Sequence, residues 1–401
     1  MENLELLLEE NQEKTKTDLR SLFSGAVKVV LECVLEEEVI ALCGARKNER
    51  TPGRKDFRNG SYLRQMLTSL GHIDVEVPRT RNGGNGSTEV LGRYNRRTED
   101  MDALICESYV HGVSTRDMSE LMEALCGKQV GKSTVSRVTK VLEEHVESLS
   151  KAPIEDEMPY LFLDATFINT RWARSVENAC ALVAYGVSPK TGKRELLAVT
   201  MGVTESEDSW TELLSQLIDR GIKGVKLIVA DDHQGLAKAA RKLLPEVKRQ
   251  RCTVHFMRNI LAKSPRRLQK RLANEVKVIF KAKSLMKAKG IKDKFVSTWK
   301  KELPELVECL KKGFQAATEF YAFPKKHHKR IRTTNGIERL HLEIKRRTKA
   351  IGSFPDRKSA LRLITAVAIN HAKNWEARAY LDMTVLDKNE NLEQMENKKA
   401  A

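Results

Sequence analysis

Three carboxylates stand in three separate local sequences where divalent-metal chemistry would need them. Asp164 sits inside Pro-Tyr-Leu-Phe-Leu-Asp-Ala-Thr-Phe (159–167), an apolar run that puts one acid in the middle of a strand. Asp231 ends a second apolar run, Val-Lys-Leu-Ile-Val-Ala-Asp-Asp-His (225–233). Glu338 lies in Arg-Thr-Thr-Asn-Gly-Ile-Glu-Arg-Leu-His (332–341), at the start of a helix that continues into a dense basic stretch. An isolated acid in a strand is costly unless it is paired or metal-bound. Oxygen-only ligands favour magnesium or manganese over zinc. A pair of such cations held by Asp164, Asp231 and Glu338 can activate a water or a 3′-hydroxyl and stabilise the leaving oxygen of an in-line displacement. Asp232 competes with Asp231, but Asp231 is the residue at the strand's end, and Asp232 is read as a cap for the next helix.

The elements that must position these acids belong to a chain of 401 residues, enough for two or three domains and a sizeable core. Lys and Arg number 71 against 54 acids, a formal charge of +17. That surplus implies a polyanionic partner. No apolar run is long enough to span a membrane and the N-terminus is acidic, so neither a spanning helix nor a signal peptide is expected. Nucleic acid is the better partner, with no membrane. The seven cysteines are scattered and never form Cys-x-x-Cys, the usage of a reducing cytosol. Aromatic residues make up only 5%, which argues against base stacking as the main binding mode.

Residues 1–100 read as an N-terminal helical and basic region for DNA binding or dimerisation: a helical pair over 1–45, then an Arg-punctuated, Gly-rich stretch with one short strand at 72–78. Residues 101–150 give three helical patterns. One ends at Gly112, one is capped by Ser114 or Thr115 and ends near Gly127, and one is capped by Ser133. Two helices joined by a short Gly-containing turn make a helix-turn-helix, whose Ser133, Thr134, Ser136 and Arg137 would meet DNA. From 155 the periodicity becomes that of strands. Runs at 159–167, 178–188 and 194–203, the last two flanking the turn signal Pro189–Gly192, predict antiparallel strands. A helix at 209–220, a strand at 225–230, a helix at 235–244 and a strand at 251–257 complete a mixed sheet. That order is expected of an α/β, ribonuclease-H-like catalytic domain over 155–262. A Lys-rich helical insertion follows at 263–330, closing helices at 331–385, and a polar tail at 386–401.

After Glu338 the residues Arg339, Lys345, Arg346 and Arg347 crowd one helix, where like charges repel. Arg332 extends the patch, and a phosphate backbone beside the metals would neutralise it. Cys252 and His255 lack a second ligand pair with zinc-finger spacing, so they read as packing or hydrogen-bonding residues near the site. On a strand, residues three apart face opposite sides.

These residues resemble a known family. The stretches Leu-Asp-Ala-Thr-Phe (163–167), Asp-Asp-His-Gln-Gly-Leu (231–236), Gln-Arg-Cys-Thr-Val-His-Phe-Met-Arg-Asn (250–259), Arg-Thr-Thr-Asn-Gly-Ile-Glu-Arg-Leu (332–340), Lys-Arg-Arg-Thr (345–348) and Gly-Ser-Phe-Pro (352–355) are similar to those of bacterial insertion-sequence transposases of the Mutator type, which are DDE transposases. Upstream, Val-Pro-Arg-Thr-Arg-Asn-Gly (77–83), Tyr-Val-His-Gly-Val-Ser-Thr-Arg (109–116) and Ser-Thr-Val-Ser-Arg (133–137) also fit, so the resemblance covers roughly residues 50–380. It implies catalytic acids at Asp164, Asp231 and Glu338, with two Mg2+ or Mn2+ ions. It implies active-site support from Cys252, His255, His233 and Asn335. It further implies nicking at the element's terminal inverted repeats, attack of the freed 3′-hydroxyl on target DNA, a homodimer, and a cytoplasmic, nucleoid-associated location in a bacterium. Two departures stand out: Ala230-Asp231-Asp232-His233 where the family usually has Ser-Asp-x-His, and His341 where Asn is common. A non-catalytic repressor and a structure-selective nuclease of the same fold are the competing classes.

Overall fold

In the computed structural model the described residues are 19–82, 90–92, 95–172 and 175–386. They divide into two compact units between Lys140 and Val141. In the first unit, α1 (Leu19–Cys43) packs Leu35 against a hairpin of β1 (Arg58–Thr68) and β2 (Gly71–Thr80), whose inward Met66, Ile73, Val75 and Val77 complete a small core. The other helix of the expected N-terminal pair lies outside the described residues.

Only β2 was legible as a strand, and β1 corrects the reading of 46–100 as a Gly-rich stretch with a single strand. Its pattern is disguised because an inward position is Arg64, while the outward Leu63 is 71% exposed. Arg64 is tolerated inside because its guanidinium donates to the carbonyls of Gly92 and Asn95.

Three helices follow: α2 (Glu99–Val110), α3 (Asp117–Cys126) and α4 (Lys132–Val138). Ser114 Oγ accepts from the Asp117 N–H at 3.2 Å ahead of α3, but the cap residue is Arg116 rather than Ser114 or Thr115. Gly127 ends α3 at φ 71°, where a Cβ would be strained. The cap of α4 is Gly131 rather than Ser133, which falls inside the first turn. Val135 and Val138 are buried, so Ser133, Ser136 and Arg137 are left on the exposed face and Thr134 is half-buried.

The second unit opens with α5 (Leu142–Lys151) and then a mixed sheet. The β-branched and aromatic content of 160–202 favours extended chain. Here β3 (Tyr160–Trp172), β4 (Ser175–Val187) and β5 (Arg194–Gly202) pair antiparallel, with β4 in the middle. Next come α6 (Glu207–Asp219), β6 (Leu227–Ala230), α7 (Gln234–Leu243) and β7 (Lys248–Arg251); β6 lies parallel to β3, and β7 parallel to β6. The strand order is β5-β4-β3-β6-β7. One sheet face, through Leu161, Leu163, Leu182 and Ile228, buries against Trp210, Leu213 and Leu217 of α6 and Leu236 and Ala239 of α7.

The strand expected at 251–257 ends at Arg251, and Thr253–Leu261 is a helix, α8. Thr253, Phe256 and Ile260 are its buried residues, a helical spacing that overrode the local apolar content. From there to Ile331 every regular element is helical: α9 (Arg266–Phe280), α10 (Leu285–Trp299), α11 (Pro304–Phe314), a 3-10 turn at Glu319–Ala322, and α12 (His328–Ile331). These share a core of their own, including Phe256, Ile260, Val276, Trp299 and Leu310. The closing helices are α13 (Asn335–Ile351) and α14 (Arg357–Lys373).

Two glycines in these helices carry opposite expectations. At Gly290, in α10, an added Cβ would meet nothing within 4 Å. Gly290→Ala should therefore stabilise by about 0.5–1 kcal/mol, through lower unfolded-chain entropy. At Gly313, in α11, a Cβ would lie 2.4 Å from the Phe256 ring. Gly313→Ala should destabilise by about 1–3 kcal/mol. Urea midpoints of the two variants should move in opposite directions.

Candidate catalytic centre

Strand parity decides which side of the sheet each acid faces. Leu161 and Leu163 point into the α6/α7 core, so Tyr160, Phe162 and Asp164 point the other way. On β6, Ile228 and Ala230 join that same core, so Leu227, Val229 and the following Asp231 share the face of Asp164. The register pairs Phe162 with Val229, and two more residues bring Asp164 level with Asp231. Farther along this face, Phe162 stacks on Tyr185 with ring centroids 4.5 Å apart.

The third acid arrives on the first turn of α13. Its helix buries Ile337, Leu340 and Ile344, which leaves Glu338 to face α8. His255 of α8 stands between two of the acids, with Nε2 3.0 Å from Glu338 Oε1 and Nδ1 3.8 Å from Asp231 Oδ2. Arg258, one turn on, approaches Glu338 at 3.6 Å. His341, one turn beyond Glu338, puts Nδ1 3.4 Å from Asp164 Oδ2. Each acid thus has an imidazole beside it.

Because 252–255 is the start of a helix, Cys252 and His255 lie on one side of it, which corrects the opposite-face expectation. Cys252 is fully buried, and its sulfur accepts from the N–H and hydroxyl of Thr334 at 3.4 and 3.3 Å. Burial opposes ionisation of this thiol, but His255 and Thr334 outweigh it and hold its pKa below the ordinary value. Cys252 and Glu338 in turn raise the His255 pKa to about 10. The His255 contact, together with the charges of Arg258 and His341, holds the Glu338 carboxyl below its ordinary range despite burial. The imidazole between Asp231 and Glu338 therefore holds its proton more tightly than an ordinary histidine.

Asp232 turns away to Arg251, with Oδ2 2.9 Å from Nη1, and it does not cap α7, whose cap residue is His233. His233 instead lies 3.5 Å from Glu205 Oε1. Glu205 is a fourth acid that the sequence reading missed. Its carboxyl is raised above the ordinary range by burial and, against the pull of His233, by the charges of Asp164 and Asp231. No signal marked it, because it falls in a polar turn after β5.

The basic residues expected around the site diverge. Arg332 is half-buried and donates to the Phe280 carbonyl at 3.0 Å. Arg346 and Arg347 pair with Glu343 at 2.9 and 3.3 Å, so the helix relieves part of its own repulsion. The Arg347 side chain is only 12% exposed. Lys345 and Arg339 are exposed, and Asn335 lines a separate cleft with Arg339.

The donor chemistry of Asp164, Asp231 and Glu338 fits a hard divalent cation. Glu338 Oε1 is buried and, although close to His255, makes no hydrogen bond of good geometry. Among the described residues no three donors stand close enough together to hold an ion as arranged. No helix among the described residues is long and apolar enough to cross a membrane.

The family described as "Transposase, Mutator family" matches residues 1–378. The chain is 36% identical to the transposase for insertion sequence element ISRM5 of Rhizobium meliloti (strain 1021) over 91% of its length and 92% of that protein's. It is 37% identical to the transposase for IS256 in transposon Tn4001 of Staphylococcus aureus, covering 88% of this chain and 91% of the other. A solved chain described as "Drosophila P element transposase strand transfer complex" is similar at a TM-score of 0.30 and 12% identity, over 76% of this chain and 87% of that one.

Proposed function

The chain belongs to the Mutator family of transposases, and from that premise we propose that it is a DDE transposase with Asp164, Asp231 and Glu338 as its catalytic acids. It binds the terminal inverted repeats of an insertion sequence, cleaves a DNA strand there and joins the freed 3′-hydroxyl to target DNA. The observation that carries this reading is the shared sheet face of Asp164 and Asp231 with Glu338 brought over it on α13. The strand order, three antiparallel strands followed by two parallel ones, supports a ribonuclease-H-like catalytic domain. The helices from Thr253 to Ile331 support the helical insertion.

The three acids would hold two Mg2+ or Mn2+ ions, which when bound supply Lewis-acid activation of the attacking oxygen and stabilisation of the leaving one. The protein's own groups prepare the setting. His341 lies beside Asp164 on the buried side, and His255 bridges Asp231 and Glu338, its proton offsetting the repulsion between the two carboxylates. Arg258, exposed beside Glu338, offers charge to a phosphate oxygen. In the first unit, α3 and α4 serve as the helix-turn-helix, with Ser133, Ser136 and Arg137 toward DNA. Joining two element ends calls for two copies of the chain, a homodimer on DNA.

The test is cleavage of duplex DNA carrying the ends of the encoding element, against random duplex and an RNA–DNA hybrid. Cleavage should require Mg2+ or Mn2+, stop with EDTA and prefer the element ends. Equal cutting of all three substrates would overturn the assignment. Light scattering of the end-bound protein should give at least two copies. Binding should also weaken steeply with salt, with a log–log slope of roughly −0.9 for each phosphate contacted.

A further inference from the structure

About a quarter turn around α13 from Glu338 lies a cleft of ≈ 500 Å³. Five cations line it, Arg194, Lys329, Arg330, Arg339 and Arg378, and no carboxylate does. Among the described residues none of the five forms an ion pair. Like charges gathered without counterions repel, and aromatic rings hold two of these in place. Arg194 is fixed over Trp375 at 4.4 Å and Tyr380 at 4.8 Å, and Arg330 sits over Tyr380 at 5.0 Å. Those ring faces are occupied by guanidinium groups, which orients the arginines without neutralising them and leaves little face for a base to stack on.

The helix adds to the same field. Asn335 and Gly336, the first residues of the 17-residue α13, line the cleft with their N-terminal partial charge. Gly336 permits the close approach, since a Cβ there would lie 3.2 Å from Arg194 Nη1 and 2.7 Å from Tyr185 Oη. Fixed guanidinium groups beside a helix N-terminus suit a phosphate oxygen cluster.

We propose that this cleft is a phosphate-binding site that grips the DNA strand beside the bond being cut. It rests on the transposase reading and adds a specific grip to it. Glu338 and the cleft share one turn of a helix about 10 Å across, so the gripped phosphate lies within about three nucleotides of the scissile one at roughly 3.4 Å rise each.

The test scans element-end DNA with single methylphosphonates, which remove one backbone charge at a time. Binding should weaken roughly 10- to 100-fold at one position in that window. The double variant Arg330→Gln/Arg378→Gln, at exposed positions that do not threaten folding, should bind weakly and lose sensitivity at that position alone. A control pair, Lys238→Gln/Lys301→Gln, should keep it. No sensitive position in the window, or sensitivity unchanged in the double variant, overturns the proposal. Inorganic phosphate is the second arm: it should compete with DNA in the wild type, and phosphate that binds without competing assigns the cleft to a free anion instead. Scanning with Asp164→Asn protein separates the two readings, because the binding pattern should survive there even when cleavage is lost.

Discussion

Asp164→Asn, Asp231→Asn and Glu338→Gln should each lower strand cleavage by about three orders of magnitude or more, with element-end binding retained. Each amide keeps the size of the side chain and removes the anionic oxygen a hard cation needs. Ligand loss takes away several kcal/mol of transition-state stabilisation, and every 1.36 kcal/mol is about tenfold in rate. Asp232→Asn is the internal control. Its carboxylate faces Arg251 rather than the other acids, so its loss should cost less than about tenfold, on the scale of a partly exposed ion pair. Single-turnover cleavage of end DNA measures both. An Asp164→Asn protein that cuts at wild-type rate, or an Asp232 variant as dead as the other three, would remove the assigned roles.

Phe256→Ala should be the most damaging single change outside the acids, lowering stability by about 3–5 kcal/mol. Phe256 is fully buried, its ring lies 5.8 Å from that of Phe280, and the Arg251 guanidinium covers it at 4.2 Å. It is also the residue after His255. Emptying its pocket loosens the helical core and the imidazole between Asp231 and Glu338 together. The urea midpoint should drop, and cleavage measured well below that midpoint should drop as well. A stability loss under about 1 kcal/mol would mean that this core collapses around the cavity instead.

The three acids that the histidines link in the fold stood out in sequence because each breaks a local rule: Asp164 interrupts an apolar run, Asp231 ends one, and Glu338 heads a helix of crowded cations. The mixed sheet was legible from period and from the turn signal at Pro189–Gly192. Three things were hidden. Strand β1 disguises its inward face with Arg64. The stretch after Arg251 has apolar residues that suit either a strand or a helix, and only tertiary packing of Phe256 and Ile260 decides for helix. Glu205 enters through the fold, when the turn after β5 meets His233. The basic residues were the least legible. Charge in sequence did not reveal that Arg332 would bind a carbonyl or that Glu343 would balance Arg346.

The helical lobe is stitched shut at its base. The Thr253 N–H donates to the Arg332 carbonyl at 2.9 Å, and the Cys252 N–H donates to the Ala230 carbonyl at 2.7 Å. Entry and exit of some eighty residues therefore meet beside the second acid. During synthesis the ribosome releases Asp164 and Asp231 long before Glu338, and Glu338 reaches them only once the lobe between has closed. A chain that stops within the lobe would carry Asp164 and Asp231 without Glu338.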